Sequence, residues 1–368
     1  MIAVRLGLQF PHLPSNADGR VCVKRSRSVN PIGMVLPEIE VNIQNSEELF
    51  DYLRTRGRLR SGELPKCRML TGGVSNRTVL VTRASGESLV LKQALAELRV
   101  ADHWFSPPER ILREAAGMTA LGRLAPRGSI PGLLFTDSDN YVLAMEAVPE
   151  PHENWKTVLL TERVEMGHVE QFAKLLAAIH RGGTDREFRQ AFGDWSFFES
   201  LRIEPYYLTT ASRVLPAAAF LHRLVEQTRA RQIALVHGDY SPKNILIYNR
   251  QFVLLDHECI HFGDPAFDVG FSIAHLLSKA NHLERARPAL AAAVEHYWEV
   301  YRQGRGLAEE LPTISHTLAC LLARVAGRSR LEYLGEGKRS RQQAAVLALL
   351  PNPPSSVSEL TERFLESL

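Results

Sequence analysis

The run Leu235-Val236-His237-Gly238-Asp239-Tyr240-Ser241-Pro242-Lys243-Asn244-Ile245-Leu246 decides how the rest of the chain is read. Apolar residues 234–236 predict a short strand that runs into a tight His-Gly-Asp, and residues 245–248 predict a second strand leaving it. Between the two lie a carboxylate, Asp239, and, five residues later, a carboxamide, Asn244. Downstream, Val253-Leu254-Leu255 delivers a further carboxylate at Asp256. Short strands that end on oxygen ligands make a floor for a hard divalent cation and a polyphosphate.

Composition sets the frame. A chain of 368 residues can build two lobes, each with its own core. The formal charge of +3 misleads, because residues 1–33 hold Arg5, Arg20, Lys24, Arg25 and Arg27 against Asp18 alone. Beyond them the balance is close to neutral, so no nucleic-acid partner is expected. Cys22, Cys67, Cys259 and Cys320 lie far apart without Cys-x-x-Cys spacing, which reads as reduced thiols in a cytoplasmic protein. No apolar run approaches the length of a membrane span, and no membrane partner is expected. Residues 1–33 read as a disordered extension, or as upstream sequence if translation starts at Met34.

Upstream of the decisive run, residues 46–56 read as a first helix with Leu49, Phe50 and Leu53 on one face. Strands follow at 67–70, 78–82 and 88–93. The turn Thr71-Gly72-Gly73-Val74-Ser75-Asn76 joins the first two. It reads either as an ordinary hairpin that uses glycine or as a flap whose N–H groups approach phosphates. The third strand carries Leu89-Val90-Leu91-Lys92, an apolar run closed by one lysine.

Ser106-Pro107-Pro108-Glu109 has the pattern of a capping box with proline at the first helical position. It predicts a helix to residue 124 with Ile111, Ala115, Met118 and Leu121 buried. Glu114 borders that stripe and is expected to orient Lys92, since a part-buried acid needs a partner. Strands at 132–135 and 141–145 complete a five-stranded lobe, and Glu146-Ala147-Val148 leaves it as an extended linker whose backbone could meet an adenine edge. The expected division is therefore an N-terminal lobe over 34–148 and a helical lobe over 149–368. Helices in the second lobe are expected at 169–180, 195–202, 215–231, 266–279, 289–301, 311–326, 339–350 and 356–368.

In this order the residues form one constellation: glycine turn, strand lysine, helix glutamate, His-x-Asp-x-x-x-x-Asn, metal aspartate. Asp239 is the candidate base, Asn244 and Asp256 the candidate metal ligands. Glu258, two residues past Asp256, either adds a ligand or braces the site. His237 reads as scaffold, and Asp264 and Asp268 as structural residues at a helix start.

At these residues, over roughly 68–278, the chain resembles the aminoglycoside phosphotransferase/choline kinase-type family of kinase-like small-molecule kinases. The resemblance implies an α+β, two-lobed protein-kinase-like fold: a small antiparallel sheet with one helix, then a larger, mainly helical lobe. It also implies transfer of the γ-phosphoryl of ATP, or sometimes GTP, to a small-molecule hydroxyl with Mg²⁺. On that basis Gly72, Gly73, Ser75, Asn76, Lys92, Glu114, Glu146 and Val148 are expected at the nucleotide. Leu91-Lys92-Gln93-Ala94-Leu95 with Arg99, Val100 and Trp104 is similar to methylthioribose kinases, although Asp256-His257-Glu258 departs from that branch's Asp-Pro-Glu.

An aminoglycoside-modifying kinase and a nucleotide-binding pseudo-enzyme are the rival readings; the second has no use for Asp239. Arg324, Arg328 and Arg330 have two readings. If they face the cleft they favour an anionic or hydroxyl-rich acceptor; otherwise they are solvated at a helix C-terminus.

Overall fold

A computed structural model describes residues 41–70, 73–100, 103–306 and 308–368. The expectations for residues 1–33 and for Gly72 lie outside the described residues. In chain order the first part comprises α1 (Ser46–Thr55), β1 (Lys66–Met69), β2 (Asn76–Thr82), β3 (Ser88–Ala94), α2 (Arg110–Leu124), β4 (Leu133–Asp137) and β5 (Val142–Glu146). Its strands form one antiparallel sheet in the order β1-β2-β3-β5-β4.

The period of two along a strand decides what each face meets. On β3, Leu89 and Leu91 pack with Leu49 and Leu53 of α1. Val90 and Ala94, on the other face, pack with Ile111, Ala115 and Met118 of α2. Lys92 shares the face of Val90 and Ala94, and Glu114 borders the α2 stripe that covers it. Alternation in the strand and helical periodicity in α2 thus bring the lysine and the glutamate together.

The expected capping box does not form. The helix starts three residues later than its proline, at Arg110, with no side-chain bond at its cap. Ser106 Oγ instead meets Ser200 Oγ at 3.1 Å.

The remainder is mostly helical. It runs β6 (Glu153–Asn154), α3 (Trp155–Leu160), α4 (Met166–Gly182), α5 (Arg186–Phe192), α6 (Ser196–Phe198), a π-helix (Glu199–Leu208), α7 (Thr209–Arg213) and α8 (Ala218–Ala230). Then come β7 (Ala234–Val236), β8 (Ile245–Tyr248), β9 (Gln251–Leu254), β10 (His261–Gly263), α9 (Ala266–His282), α10 (Arg287–Arg305), α11 (Glu310–Ala326), α12 (Glu336–Leu349) and α13 (Val357–Glu366).

One large core, rich in aromatic and branched side chains from α4, α9, α10 and α11, supports two small sheets. The helix expected at 195–202 differs from expectation: α6 ends at Phe198 and a π-helix carries the chain to Leu208. Pro205 inside it has no N–H to give, so the regular i→i−4 ladder cannot continue through it. The two short strands β6 and β10 were not expected. No described helix is long and apolar enough to cross a membrane.

Candidate active site

β7 enters the decisive loop paired with β10, and β8 leaves it paired with β9. Asp268, in the first turn of α9, clamps the loop's backbone. Its carboxylate accepts from His237 N at 2.7 Å and Gly238 N at 2.8 Å, and His180 Nε2 lies 3.1 Å away. His237 Nδ1 accepts from Asp239 N at 3.2 Å, so its proton sits on Nε2, which faces His257 Nδ1 at 3.1 Å. Burial holds both imidazoles below the usual histidine range, and a neutral pair of this kind ties the loop to the strand end that carries Asp256.

Gly238 makes the turn possible. Its φ is +77°, and a Cβ there would lie 2.6 Å from Cys259 O. Gly238→Ala should therefore destabilise the fold by more than the roughly 1–3 kcal/mol of the backbone strain alone, read as a lower denaturation midpoint; an unchanged midpoint would refute the clamp.

Asp239 is buried and surrounded by donors. Its Oδ2 accepts from Asn244 Nδ2 at 2.8 Å and lies 2.8 Å from Lys243 Nζ. Its Oδ1 lies 2.7 Å from Arg202 Nη2, but off the line of a hydrogen bond, so this buried oxygen has no donor aligned on it among the described residues. Burial alone would raise this carboxyl; Arg202 and Lys243 outweigh it and hold the group below the usual carboxylate range. Arg202 is itself anchored on Gly238 O at 2.8 Å. Asn244 commits its amide nitrogen to Asp239, which leaves its carbonyl oxygen as the atom it can offer.

Asp256 follows β9 in a left-handed backbone conformation, φ +68°. Leu255 N donates to Asn244 O at 2.9 Å, so Asn244 and Asp256 stand at neighbouring strand ends. Asp239 and Asp256 each face the other's negative charge. Lys92 Nζ reaches Asp256 Oδ1 at 2.7 Å and Glu114 Oε1 at 2.6 Å.

One lysine cannot neutralise both acids. Burial raises Asp256, but Lys92 and Lys243 bring it far below its ordinary value. For Glu114 burial wins, with Asp256 and Glu258 adding to it, and its carboxyl is raised. Burial disfavours the charged lysine, yet Asp256 and Glu114 more than restore it.

Glu258 is drawn into the same cluster; Glu114, Asp256 and Glu258 bring carboxylate oxygens within 4.8 Å of one another. Its Oε2, however, is held by Arg110 Nε at 3.1 Å and Asn76 Nδ2 at 3.3 Å, so only Oε1 is left to face an ion. Arg110, fully buried, also donates to the carbonyls of Ser75 and Leu95. It thereby ties the exit of the glycine turn to the segment after β9. Gly73 is exposed, with no heavy atom within 4 Å of where a Cβ would stand.

The linker is only partly free. Glu146 N donates to Gly132 O at 2.8 Å and Ala147 N to Ser88 O at 3.3 Å, while the Glu146 side chain accepts from Gly132 N. Of the expected adenine-facing groups, that leaves backbone carbonyls and Val148.

The three C-terminal arginines part company. Arg324 turns inward to Tyr206 and Ser329, Arg328 pairs with Glu204 at 2.7 Å, and Arg330 is exposed.

Arg202, Lys243 and Arg110 were not singled out in the sequence. Lys243, four residues past Asp239 on a one-turn helix, carried a spacing signal. Arg110, four residues before Glu114 on the same face of α2, carried another. Arg202 carried none.

A sequence model described as the phosphotransferase enzyme family matches residues 66–310. No curated protein matches the chain. Among solved structures, a choline/ethanolamine kinase family protein from Mesorhizobium loti superposes with a TM-score of 0.53 and 16% identity, over 87% of this chain and 98% of that one. A macrolide 2'-phosphotransferase from Brachybacterium faecium gives 0.47 and 16%, over 88% and 98%. A choline kinase from Streptococcus pneumoniae gives 0.45 and 14%, over 88% and 100%.

Proposed function

The chain belongs to the phosphotransferase enzyme family, and from that premise we propose that it moves the γ-phosphoryl of ATP to a hydroxyl of a small molecule. The observation that carries this reading is Asp239, a buried carboxylate held ionised by Arg202 and Lys243, beside a second carboxylate bonded to Lys92. A binding module has no use for a buried carboxylate kept ionised in this way; a base that receives a hydroxyl proton requires one.

In this reading Asp239 orients the acceptor hydroxyl and takes its proton, while Arg202 and Asn244 fix its rotamer. Lys92, held upright by Glu114, meets the phosphate oxygens. Backbone groups at Gly72, Gly73, Ser75 and Asn76 cover the phosphates, and the linker carbonyls with Val148 meet the base. Asp256 and the carbonyl oxygen of Asn244, with Glu258 Oε1, are a hard all-oxygen donor set suited to Mg²⁺. Bound Mg²⁺ supplies charge neutralisation at the phosphate oxygens. Phosphoryl transfer needs little more than this positioning and charge cancellation. GTP would make the same phosphate contacts.

The test is ADP release from ATP with and without a panel of hydroxyl compounds, with and without a chelator. Acceptor-stimulated ADP release that stops on chelation is expected. A rate indifferent to every acceptor and to the metal would refute the proposal.

A further inference from the structure

Resting on that reading, we propose that the acceptor is itself an anion, a hydroxyl compound bearing a phosphate or carboxylate. Its hydroxyl lies toward Asp239 and its charge lies between Arg324 and Lys279.

The argument starts from the residues behind Asp239. Arg202 reaches Asp239 from one side of the Tyr206 ring, its guanidinium 5.3 Å from the centroid; Arg324 lies 5.7 Å from the same centroid. Both guanidiniums therefore lie against one ring, and Arg324 Nη1 also donates to the Tyr206 hydroxyl at 3.1 Å. Along α9, Phe271, His275 and Lys279 recur at four-residue spacing and so form one stripe. Phe271 packs on Tyr206 and His275 on Phe271. Lys279 ends the stripe, its Nζ 5.6 Å from the Tyr333 ring centroid.

Several polar atoms along this stripe are buried with few or no hydrogen-bond partners among the described residues. Lys279 is fully buried, and its one bond among the described residues is to His275 O at 3.3 Å. His275 Nε2, Arg324 Nε and Tyr333 Oη have no partner among the described residues. A buried amine with one backbone acceptor carries its charge at a cost, which it avoids by giving up its proton or by meeting an anion.

The local charge balance points the same way. Lys156 from α3, Arg324 from α11 and Lys279 and His275 from α9 face Glu332 and Tyr333 of the segment after α11. Glu332 is already paired with Lys156, and Glu204 with Arg328. Three cations thus converge with one acid among them, which would repel a polycationic or quaternary-ammonium acceptor. Burial, with Lys156 and Arg324 beside it, brings the Lys279 amine down to about 7. An anion placed against it would restore its proton, so binding should take up protons above neutral pH.

The test uses the full chain and four probes: glycerol 3-phosphate and glycerate against glycerol and choline. Calorimetry at pH 8 should give dissociation constants at least about 10-fold lower for the two anions. For glycerate, whose carboxylate does not titrate near neutrality, the heat should differ between buffers of different ionisation enthalpy, reporting proton uptake. Lys279→Met keeps the shape and removes the buried amine, so it should fold at least as well; it should weaken both anions by about 10–100-fold and abolish the proton uptake. Arg324→Gln should weaken them similarly.

Choline or glycerol binding as tightly as the anions would overturn the proposal. So would no anion binding at millimolar concentration, or Lys279→Met with unchanged affinity. The two readings fail separately. ADP release stimulated by choline and not by the anions would keep the kinase and discard the anionic acceptor. Anions that bind in the expected order without ever supporting ADP release would keep the anion site and discard phosphoryl transfer.

Discussion

Asp239→Asn is expected to lower kcat by about 10²–10⁴-fold while nucleotide affinity changes little. The substitution keeps the shape and the acceptor oxygen but removes the charge that, in the proposed reaction, receives the hydroxyl proton. Because Arg202 and Lys243 both lean on that charge, the variant also leaves two cations facing a neutral amide, and some stability is lost with the activity. Nucleotide binding separates the two effects: a folded variant that binds nucleotide and does not turn over isolates the chemical role. Equal turnover in both proteins would remove Asp239 from the mechanism.

The pH dependence follows from the same contacts. A carboxyl lowered in the folded state contributes stability above its unfolded value, near 3.9, and loses it as pH falls through the lowered folded value. Asp239 therefore produces no acid limb in the rate profile between about pH 5 and 8, and a limb there belongs to another group.

Lys92→Met is the second large effect, an expected loss of about 10²–10³-fold in kcat/KM for ATP. Among the described residues the lysine is the one cation bonded to both Glu114 and Asp256. Without it Glu114, already raised by burial, is pushed further toward its neutral form, and Asp256 swings free of the lysine that fixes its rotamer. Glu114→Gln serves as the comparison. It keeps the lysine and one acceptor, so its loss should be smaller and should fall mainly on KM. Two variants of equal severity would show that the pair acts only as a structural brace.

Much of this site was legible because it is local. The strands around Asp239 are fixed by apolar runs of three and four residues, and period-two alternation places Lys92 on the α2 side of its sheet. What escaped is tertiary. Arg202 lies 37 positions before Asp239, in a segment that reads as an α-helix; only the π-helix around Pro205 and the packing of Phe271 aim it at the loop. Arg110 reads as an ordinary first-turn arginine, and nothing local says that its guanidinium meets Ser75, Leu95 and Glu258 at once. The capping box failed because Ser106 had a better partner in Ser200, 94 residues away. Arg324, Arg328 and Arg330, at and after the end of α11, could not be sorted without knowing that Tyr206 and Glu204 stand opposite them.

The central claim is that Asp256 and Asn244 jointly hold the divalent ion that accompanies the nucleotide. Crystals grown with Mn²⁺ and a non-hydrolysable ATP analogue, measured for anomalous scattering, test it directly. The account predicts a peak bonded to Asp256 and to the carbonyl oxygen of Asn244, with Lys92 on the phosphates. A peak held by Glu114 and Glu258 without Asn244, or no peak at Asp256, would contradict it.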